Sequence, residues 1–175
     1  SEDLTLKNLL EMNAGDYIEQ IQGVCVSAEK EYGLERQLQG MKDDWAAIQF
    51  EVKAYKESGT SIVGGIEDII TLLDDHIVKT QTMRGSMYIK AIEEDAKAWE
   101  YQLKYAQSLI DEWIKCQRTW MYLEPIFGSE DIMRQLPTEA RRFKDVDSLF
   151  RATMKLVDDD AVVIVQANPE KRLLE

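Results

Sequence analysis

The 175-residue sequence is poor in the residues that support catalysis and metal binding, with one histidine, two cysteines and three prolines. A single histidine, His76, cannot supply the several nitrogen ligands of a typical zinc site. A serine triad would have to use this same histidine, and no serine lies in a Gly-x-Ser-x-Gly turn. The phosphate-binding pattern Gly-x-x-x-x-Gly-Lys-Ser/Thr is absent as well. We therefore expect no catalytic, cofactor-binding or metal-binding residue in this chain.

Long apolar runs and an excess of positive charge are also missing. No stretch approaches the ~18 consecutive apolar residues of a membrane span, and no signal peptide is visible. Acidic residues outnumber basic ones by 33 to 21, which gives a formal net charge of −12. Nucleic acids, anionic membranes and the acidic surface of a microtubule all require a basic face. The composition therefore argues against direct binding to each of them.

The two cysteines, Cys25 and Cys116, lie far apart within apolar patterns typical of helices, without metal-ligand spacing. We predict two buried free thiols in a reducing compartment, with a disulfide as the alternative. The chain starts without a methionine, and Lys171–Glu175 resembles the beginning of another helix. We expect a fragment of a longer protein.

Apolar residues recur at spacings of three and four over most of the chain, which predicts a mainly α fold. A short amphipathic segment ends near Gly15, and longer helices are expected over residues 16–47, 66–83 and 90–122, with Pro125 closing the last. We expect one structural unit, residues 1–175, built as an elongated bundle of antiparallel helices. The second segment carries two stripes separated by a slip near Gly33: Tyr17, Ile21, Val24 and Ala28, then Leu38, Met41 and Trp45.

Residues 48–64 fit two interpretations. Ile48, Val52 and Tyr55 would extend the helical stripe, whereas the alternation from Ile48 to Ala54 is typical of a strand. The turn signal Glu57–Thr60, followed by another short apolar run, favours a small β-hairpin attached to the helices.

The fourth helix has the clearest pattern, an apolar face that indicates packing against neighbouring helices along its whole length. Its members are Ile92, Ala96, Trp99, Leu103, Ala106, Ile110, Trp113, Gln117 and Trp120. All four tryptophans, these three and Trp45, fall on apolar stripes, so we interpret them as core residues. The third helix should bury Ile66, Ile69, Ile70, Leu73 and Ile77.

The last third of the chain predicts shorter elements. Ser129 is placed to cap a helix through Leu136, and Thr138 is a candidate N-cap after Pro137. The helix that follows should present Phe143, Val146, Phe150, Met154 and Val157 on one face. The run Ala161–Val165 fits a helix or a strand.

A few polar groups resemble parts of known binding sites. His76 lies beside Asp74 and Asp75 but next to an apolar stripe, so we interpret it as a packing residue. Gly64-Gly65 precedes a helix, yet Glu67 and Asp68 in the first turn would repel phosphate. The runs Glu93–Asp95 and Asp158–Asp160 are typical of solvated helix faces.

Several stretches strongly resemble the linker of dynein heavy chains, with order and spacing preserved from about Glu29 to Val157. They are Leu73–Ser86, Trp113–Phe127, Ser129–Ile132, Gln135–Pro137 and Phe143–Asp147. Lys79–Thr82 and Leu123–Phe127 look like the axonemal branch rather than the cytoplasmic one. Family members often carry proline after the Gly-Ser pair and Pro-Phe beyond it. Met87 and Ala91-Ile92 stand there instead, so the shape of the Arg84–Met87 loop stays open.

The resemblance implies a mechanical role without catalysis in these residues. In the family, the linker lies across a ring of AAA+ modules and bends and straightens as the first module binds and hydrolyses ATP. The resemblance therefore implies ATP and Mg in the parent motor, with none in this fragment. It also implies intramolecular contacts with the ring, possible contacts with other dynein subunits, and a location in the cytoplasm and cytoskeleton, in the axoneme of cilia or flagella.

Two other classes compete with the motor element. One is a stand-alone helical adaptor, either spectrin-like or using an exposed groove. A spectrin-like protein should show internal repeats, and none is visible. A small enzyme needs a convergent polar site, and the sequence offers no good candidate.

Overall fold

The computed structural model describes residues 5–169, and this part of the chain is mainly helical, as the sequence predicts. Two single-turn 3-10 helices, Ala14–Tyr17 and Ile89–Ile92, accompany the α-helices. The helix expected to begin near Lys171 lies outside the described residues. The regular elements are α1 (Leu6–Glu11), α2 (Ile18–Ala47), β1 (Glu51–Ala54), β2 (Ser61–Gly64), α3 (Ile66–Arg84), α4 (Glu93–Phe127), α5 (Glu130–Gln135), α6 (Pro137–Asp159) and α7 (Val163–Gln166).

Helix α2 packs on the rest of the molecule through its C-terminal half alone. Leu38, Met41 and Trp45 are its buried residues, as the second stripe predicts. The first stripe, which includes Tyr17 and Ile21, is exposed. The slip in the sequence pattern near Gly33 thus marks the point where α2 meets the body.

The predicted hairpin is confirmed. Strands β1 and β2 are antiparallel, with Glu51 opposite Gly64 and Ala54 opposite Ser61. Gly65 follows at φ 63°, and a Cβ there would lie 3.1 Å from the Glu51 carboxylate. A left-handed backbone with little room for a side chain favours glycine at this start of α3.

Helix α4 continues to Phe127, five residues beyond the predicted end at 122, and Pro125, expected to close this region, lies inside the helix. Proline lacks the N–H that would bond the carbonyl of Met121, four residues earlier. The hydroxyl of Tyr55, on the hairpin, donates to that carbonyl at 3.3 Å instead. An outside donor therefore lets the last turn form around the proline.

The connection before α4 takes a defined shape. Gly85 ends α3 with its N–H donating to the carbonyls of Gln81 and Thr82. The N–H of Tyr88 donates to the Ser86 hydroxyl, and Met87 is 84% exposed. A proline after Ser86 is therefore not required for this turn.

The expected N-cap of the helix after Pro137 is wrong. Helix α6 starts with Pro137 in its first turn and Leu136 at the N-cap position, so Thr138 lies inside the helix. Proline suits the first turn because the N–H it lacks has no helical partner there. Ser129 occupies the N-cap position of α5, but its side chain makes no capping hydrogen bond.

The run Ala161–Val165, which fits a helix or a strand by sequence, contains a short piece of each. Val162 bridges Gln49 in an antiparallel pair, and the N–H of Phe50 donates to the carbonyl of Ala161 at 2.8 Å. Helix α7 begins at the next residue, Val163. This pairing ties the end of the described chain to the segment between α2 and the hairpin.

One hydrophobic core joins α2, the hairpin, α3, α4, α6 and α7. The predicted face of α6 enters it only in part, because Phe150, Met154 and Val157 are buried while Val146 is 48% exposed. Within residues 5–169, no helix combines the length and apolar character needed to cross a membrane.

Candidate functional site: the aromatic seam of α4

The buried face of α4 runs along the whole core, and we call it the α4 seam. Along this face lie Ala96, Trp99, Leu103, Ala106, Ile110, Trp113, Gln117 and Trp120, and α4 also buries Glu100 and Leu109. The sequence pattern predicts the first eight and misses Glu100 and Leu109. Ile92, at the start of the pattern, is only partly buried and lies in the preceding 3-10 helix. Because α3, α6, α7 and the hairpin meet this helix, the α4 seam is the candidate mechanical core.

Gln117 fastens the hairpin to the α4 seam. Its side-chain oxygen accepts from the N–H of Val63 at 2.9 Å, and its amide nitrogen donates to the carbonyl of Val63 at 2.8 Å. The side chain thus replaces a neighbouring strand for one residue of β2. Both backbone groups are buried, so their pairing avoids a desolvation penalty of about 1–3 kcal/mol each.

Trp120 is the centre of an aromatic cluster between three elements. Its ring stacks on Phe150 of α6 with centroids 4.4 Å apart, and Tyr55 meets it edge-on at 5.4 Å. Its indole N–H donates to the carboxylate of Asp147 at 2.8 Å. The cluster therefore joins α4, α6 and the end of β1 through ring contacts.

Arg151 closes the same cluster from the α6 side. Its guanidinium donates to both oxygens of Asp147 at 2.9 Å and to the carbonyl of Ser58, in the hairpin turn, at 2.6 Å. It also lies over the ring of Trp120, with its central carbon 5.7 Å from the ring centroid. One N–H of Arg151 is thus shared between the two Asp147 oxygens, while another reaches the hairpin turn, so this side chain ties α6 to the hairpin.

At the other end of the α4 seam, a buried carboxylate joins α3 to α4. Glu100 is 5% exposed and pairs with Arg84, at the end of α3, and with Lys104 one turn along α4. The Lys104 ammonium, with further donors on Arg84 and Gln81, holds the pKa of the Glu100 carboxyl at about 2. The carboxylate is therefore charged throughout the neutral range.

Helix α2 joins the body through Trp45 and His76. The indole N–H of Trp45 donates to Nδ1 of His76 at 3.0 Å, and both side chains are buried. Burial, followed by the nearby charge of Lys79, lowers the pKa of His76. A neutral imidazole with its proton on Nε2 is the form that accepts this bond. The interpretation of His76 as a packing residue is confirmed.

Sequence reasoning missed the side chains that surround the seam from other elements. Asp147 accepts a hydrogen bond from Trp120, while Tyr55 and Arg151 contact its ring, and the sequence pattern predicts none of these contacts. The spacing of Asp147 and Arg151 allows a helical ion pair. Nothing in the sequence shows that Ser58 lies within reach of that pair.

The histidine and the acidic runs considered above as binding sites do not converge on one site. Among residues 5–169, no group of three or more histidine, cysteine or acidic side chains is placed to hold a metal ion. Glu93 and Glu94 both pair with Lys97 on the surface of α4. Asp158, at the end of α6, accepts from the Ser61 hydroxyl at 3.4 Å.

Both cysteines are free, as predicted, but the expectation that they are buried is wrong. Cys25 lies on the part of α2 that packs on no other described element. Cys116 lies on the outer side of α4, beside a groove that α6 leaves partly open. Neighbouring apolar side chains still desolvate the Cys116 sulfur in part and raise the pKa of its thiol.

Comparison with known proteins gives a consistent family. The family described as "Dynein heavy chain, N-terminal region 2" matches residues 1–175. Human dynein axonemal heavy chain 3 is 44% identical over 168 residues, covering 96% of this chain and 4% of the relative. Dynein axonemal heavy chain 1 of Rattus norvegicus is 45% identical over 173 residues, 99% of this chain and 4% of the relative. Human dynein axonemal heavy chain 12 is 44% identical over 160 residues, 91% of this chain and 5% of the relative.

Proposed function

This chain belongs to the dynein heavy chain family, and we propose that it is a non-catalytic mechanical element of the motor, the linker that couples an AAA+ ring to force. The α4 seam is the observation that carries this proposal. A lever must resist bending, and a 35-residue helix packed on α3, the hairpin and α6 suits that requirement. The chain spans about 4–5% of the length of the relatives it matches, so the activity of the whole motor is part of the proposal.

The stiffness of the body comes from how its large side chains are held. Trp113 lies on the α4 seam with its ring 6.0 Å from Phe50, and Trp120 is held by Phe150 and Asp147. Removing a buried tryptophan typically destabilises a protein by about 3–5 kcal/mol. Displacements between α4, α6 and the hairpin would break several of these contacts at once, so the body should move as one.

The ATP chemistry is assigned to other parts of the parent chain. These residues contain no phosphate-binding loop, and the first turn of α3 carries Glu67 and Asp68. The parent chain is proposed to hydrolyse ATP with Mg in its AAA+ ring. The partner of this element is that ring, and other dynein subunits are further candidates. The axonemal relatives support a location in the axoneme of cilia or flagella.

A helical interaction module is the second candidate function. A groove of about 300 Å³ lies between α4 and α6, lined on one side by Trp113 and Cys116 and on the other by Val146 and Leu149. Leu149 is 69% exposed there. An apolar groove of this kind favours a docked peptide or helix. A passive docking role requires only that the groove keep its shape.

The test replaces Trp113 by alanine in the full motor. A softened body should transmit less of the work released by the ring, so ATP turnover continues while microtubule gliding slows. The measurement is gliding velocity and ATP turnover on the same preparation. Tyr101→Ala is the matched control, because Tyr101 lies on the same helix and is 62% exposed.

The ratio of gliding velocity to turnover separates the two candidates. The lever role expects a lower ratio for Trp113→Ala and an unchanged ratio for Tyr101→Ala. A folded Trp113→Ala motor with normal gliding and normal turnover would contradict the lever role and leave the docking module as the better account.

A further inference from the structure

A polar cleft of about 410 Å³ lies between the turn of the hairpin and the C-terminal half of α6, and we call it the hairpin cleft. Its charged and hydroxyl-bearing side chains are Lys56, Thr60, Ser61, Arg151, Lys155 and Asp158. Three basic side chains and one acidic side chain thus line it, in a chain of net charge −12. A local reversal of charge in a concave surface favours an anionic ligand.

The two lysines of the hairpin cleft keep their charges unneutralised. Neither Lys56 nor Lys155 forms an ion pair with another residue between 5 and 169. The Lys56 ammonium lies over the ring of Tyr55, 4.9 Å from its centroid, and Glu124, the acid that acts on it, is beyond ion-pair distance. The single acid of the cleft, Asp158, accepts a hydroxyl from the turn at 3.4 Å.

Two features of the hairpin cleft disfavour folding of the chain by itself. Arg151 and Lys155 are four residues apart on α6, and like charges at this spacing repel each other. Lys56 has φ 46°, a left-handed backbone that side chains other than glycine seldom adopt. Locally unfavourable choices of this kind concentrate at binding sites. A bound anion would offset the repulsion between the cations.

Hydrogen-bond donors face the hairpin cleft from both of its walls. Arg151 is held by Asp147 through Nε and by the carbonyl of Ser58 through Nη1, and its Nη2 bonds to nothing in the described part of the chain. The Thr60 hydroxyl, on the hairpin side, also lacks a described hydrogen-bond partner. A phosphate group presents acceptor oxygens in several directions, whereas a carboxylate presents two oxygens in one plane.

We propose that the hairpin cleft binds a phosphate group, with Arg151 and Lys155 on one side of it and Lys56 and Thr60 on the other. A phosphate group carries close to two negative charges at neutral pH, which matches the two unpaired lysines. The group belongs either to free inorganic phosphate or to a phosphorylated side chain of a partner, since both present the same oxygens. The site is independent of the lever role, because binding requires no movement of the body.

The test is an NMR titration of the ¹⁵N-labelled 175-residue chain with inorganic phosphate, at constant ionic strength and about pH 7.5. The amides of Gly59, Thr60 and Ser61 should shift and reach saturation. Lys155→Ala should weaken binding about tenfold, because it removes a charge-assisted hydrogen bond. Lys144→Ala is the matched control and should leave the affinity unchanged, since Lys144 is an exposed lysine of the same helix outside the cleft.

Lys56→Gly separates binding from folding. Glycine adopts φ 46° without strain, so this variant should stay folded while its affinity for phosphate falls about tenfold. An unchanged affinity in a folded Lys56→Gly or Lys155→Ala chain would overturn the proposal, and so would shifts that do not saturate. An equal loss of affinity in Lys144→Ala would overturn it as well, because general charge would then explain the binding.

Two further ligands identify the group that is bound. Acetate at the same ionic strength should bind at least about tenfold more weakly than phosphate, because it has fewer acceptor oxygens and a single charge. Equal binding of acetate would overturn the assignment to phosphate. A phosphoserine peptide that shifts the same amides supports a partner's phosphorylated side chain as the source. A peptide that fails while inorganic phosphate binds supports free phosphate.

Discussion

Trp99 and Trp120 both lie buried on the α4 seam, but their indole N–H groups meet different surroundings. That of Trp120 donates to Asp147 at 2.8 Å. That of Trp99 has no hydrogen-bond partner among the described residues. A buried donor without a partner keeps its desolvation penalty, so removing it should cost little beyond the lost volume.

We therefore expect Trp99→Phe to destabilise the chain less than Trp120→Phe, by about 1–2 kcal/mol, since only the second removes a hydrogen bond to a charged group. Both changes delete the same atoms, so each serves as the control for the other. Urea unfolding of the 175-residue variants measures the difference. Equal losses would show that the Trp120–Asp147 bond contributes nothing net.

Glu100 should make stability depend on acid. Its pKa is lowered to about 2 in the folded chain by Lys104, Arg84 and Gln81, against an ordinary value of 4.5. A lowered carboxyl pKa stabilises the folded state above the unfolded value, and that contribution disappears as pH falls through the folded value. The relevant window is therefore pH 4.5 down to about 2.

The comparison is with Glu100→Gln, which keeps the shape but cannot titrate. We expect the wild type to lose more unfolding free energy than the variant between pH 5 and pH 2, measured by urea unfolding at each pH. Parallel curves for the two proteins would show that Glu100 is not the group responsible.

At the scale of elements, the hydrogen bond between the hairpin and the end of α4 depends on a proline. Pro125 leaves the carbonyl of Met121 without its helical donor, and the Tyr55 hydroxyl supplies one at 3.3 Å. Tyr55→Phe should therefore cost about 1 kcal/mol or more, because it leaves a part-buried carbonyl unpaired.

Pro125→Ala restores a backbone N–H within reach of the Met121 carbonyl. In that background we expect Tyr55→Phe to cost clearly less, which gives a coupling free energy between two residues distant in sequence. A double-mutant cycle from unfolding curves measures it. Strict additivity would mean that the hydroxyl does not act as a substitute donor.

The same elements show where sequence reasoning succeeds and where it stops. The α4 seam was predictable because its spacing of three and four is sustained from Ala96 to Trp120, about seven turns of helix. The end of α4 was not predictable, because the donor to the Met121 carbonyl is the hydroxyl of Tyr55, 66 residues away. The position of Thr138 inside α6 follows from Pro137, whose preference for the first turn outweighed a favourable capping residue.

The two stripes of α2 give a related lesson. They were visible as a slip near Gly33, but a pattern alone does not say which stripe the body covers. Leu38, Met41 and Trp45 are buried because α3 and α7 lie against them, and those contacts depend on tertiary structure. The exposure of Cys25 has the same origin, since it lies on the half of α2 without a neighbour.

At the scale of the whole molecule, the side-chain contacts between neighbouring elements connect α2 to α6 without a break. Helix α2 is fastened to α3 through Trp45 and His76. Helix α3 joins α4 along its length and through Glu100, and α4 holds the hairpin and α6 through Gln117 and Trp120. Force applied at one end would therefore reach the other through packed side chains and not through a flexible linker.

The central claim is that this body transmits work because it is stiff, and Trp113 allows a graded test. The ratio of gliding velocity to ATP turnover in the full motor is measured for the wild type, Trp113→Phe and Trp113→Ala. Phenylalanine should leave a smaller cavity at the Phe50 contact than alanine, so its loss of stability should be smaller. A lever expects the ratio to fall from wild type to Trp113→Phe to Trp113→Ala while turnover holds. A constant ratio across the three folded motors would contradict the account.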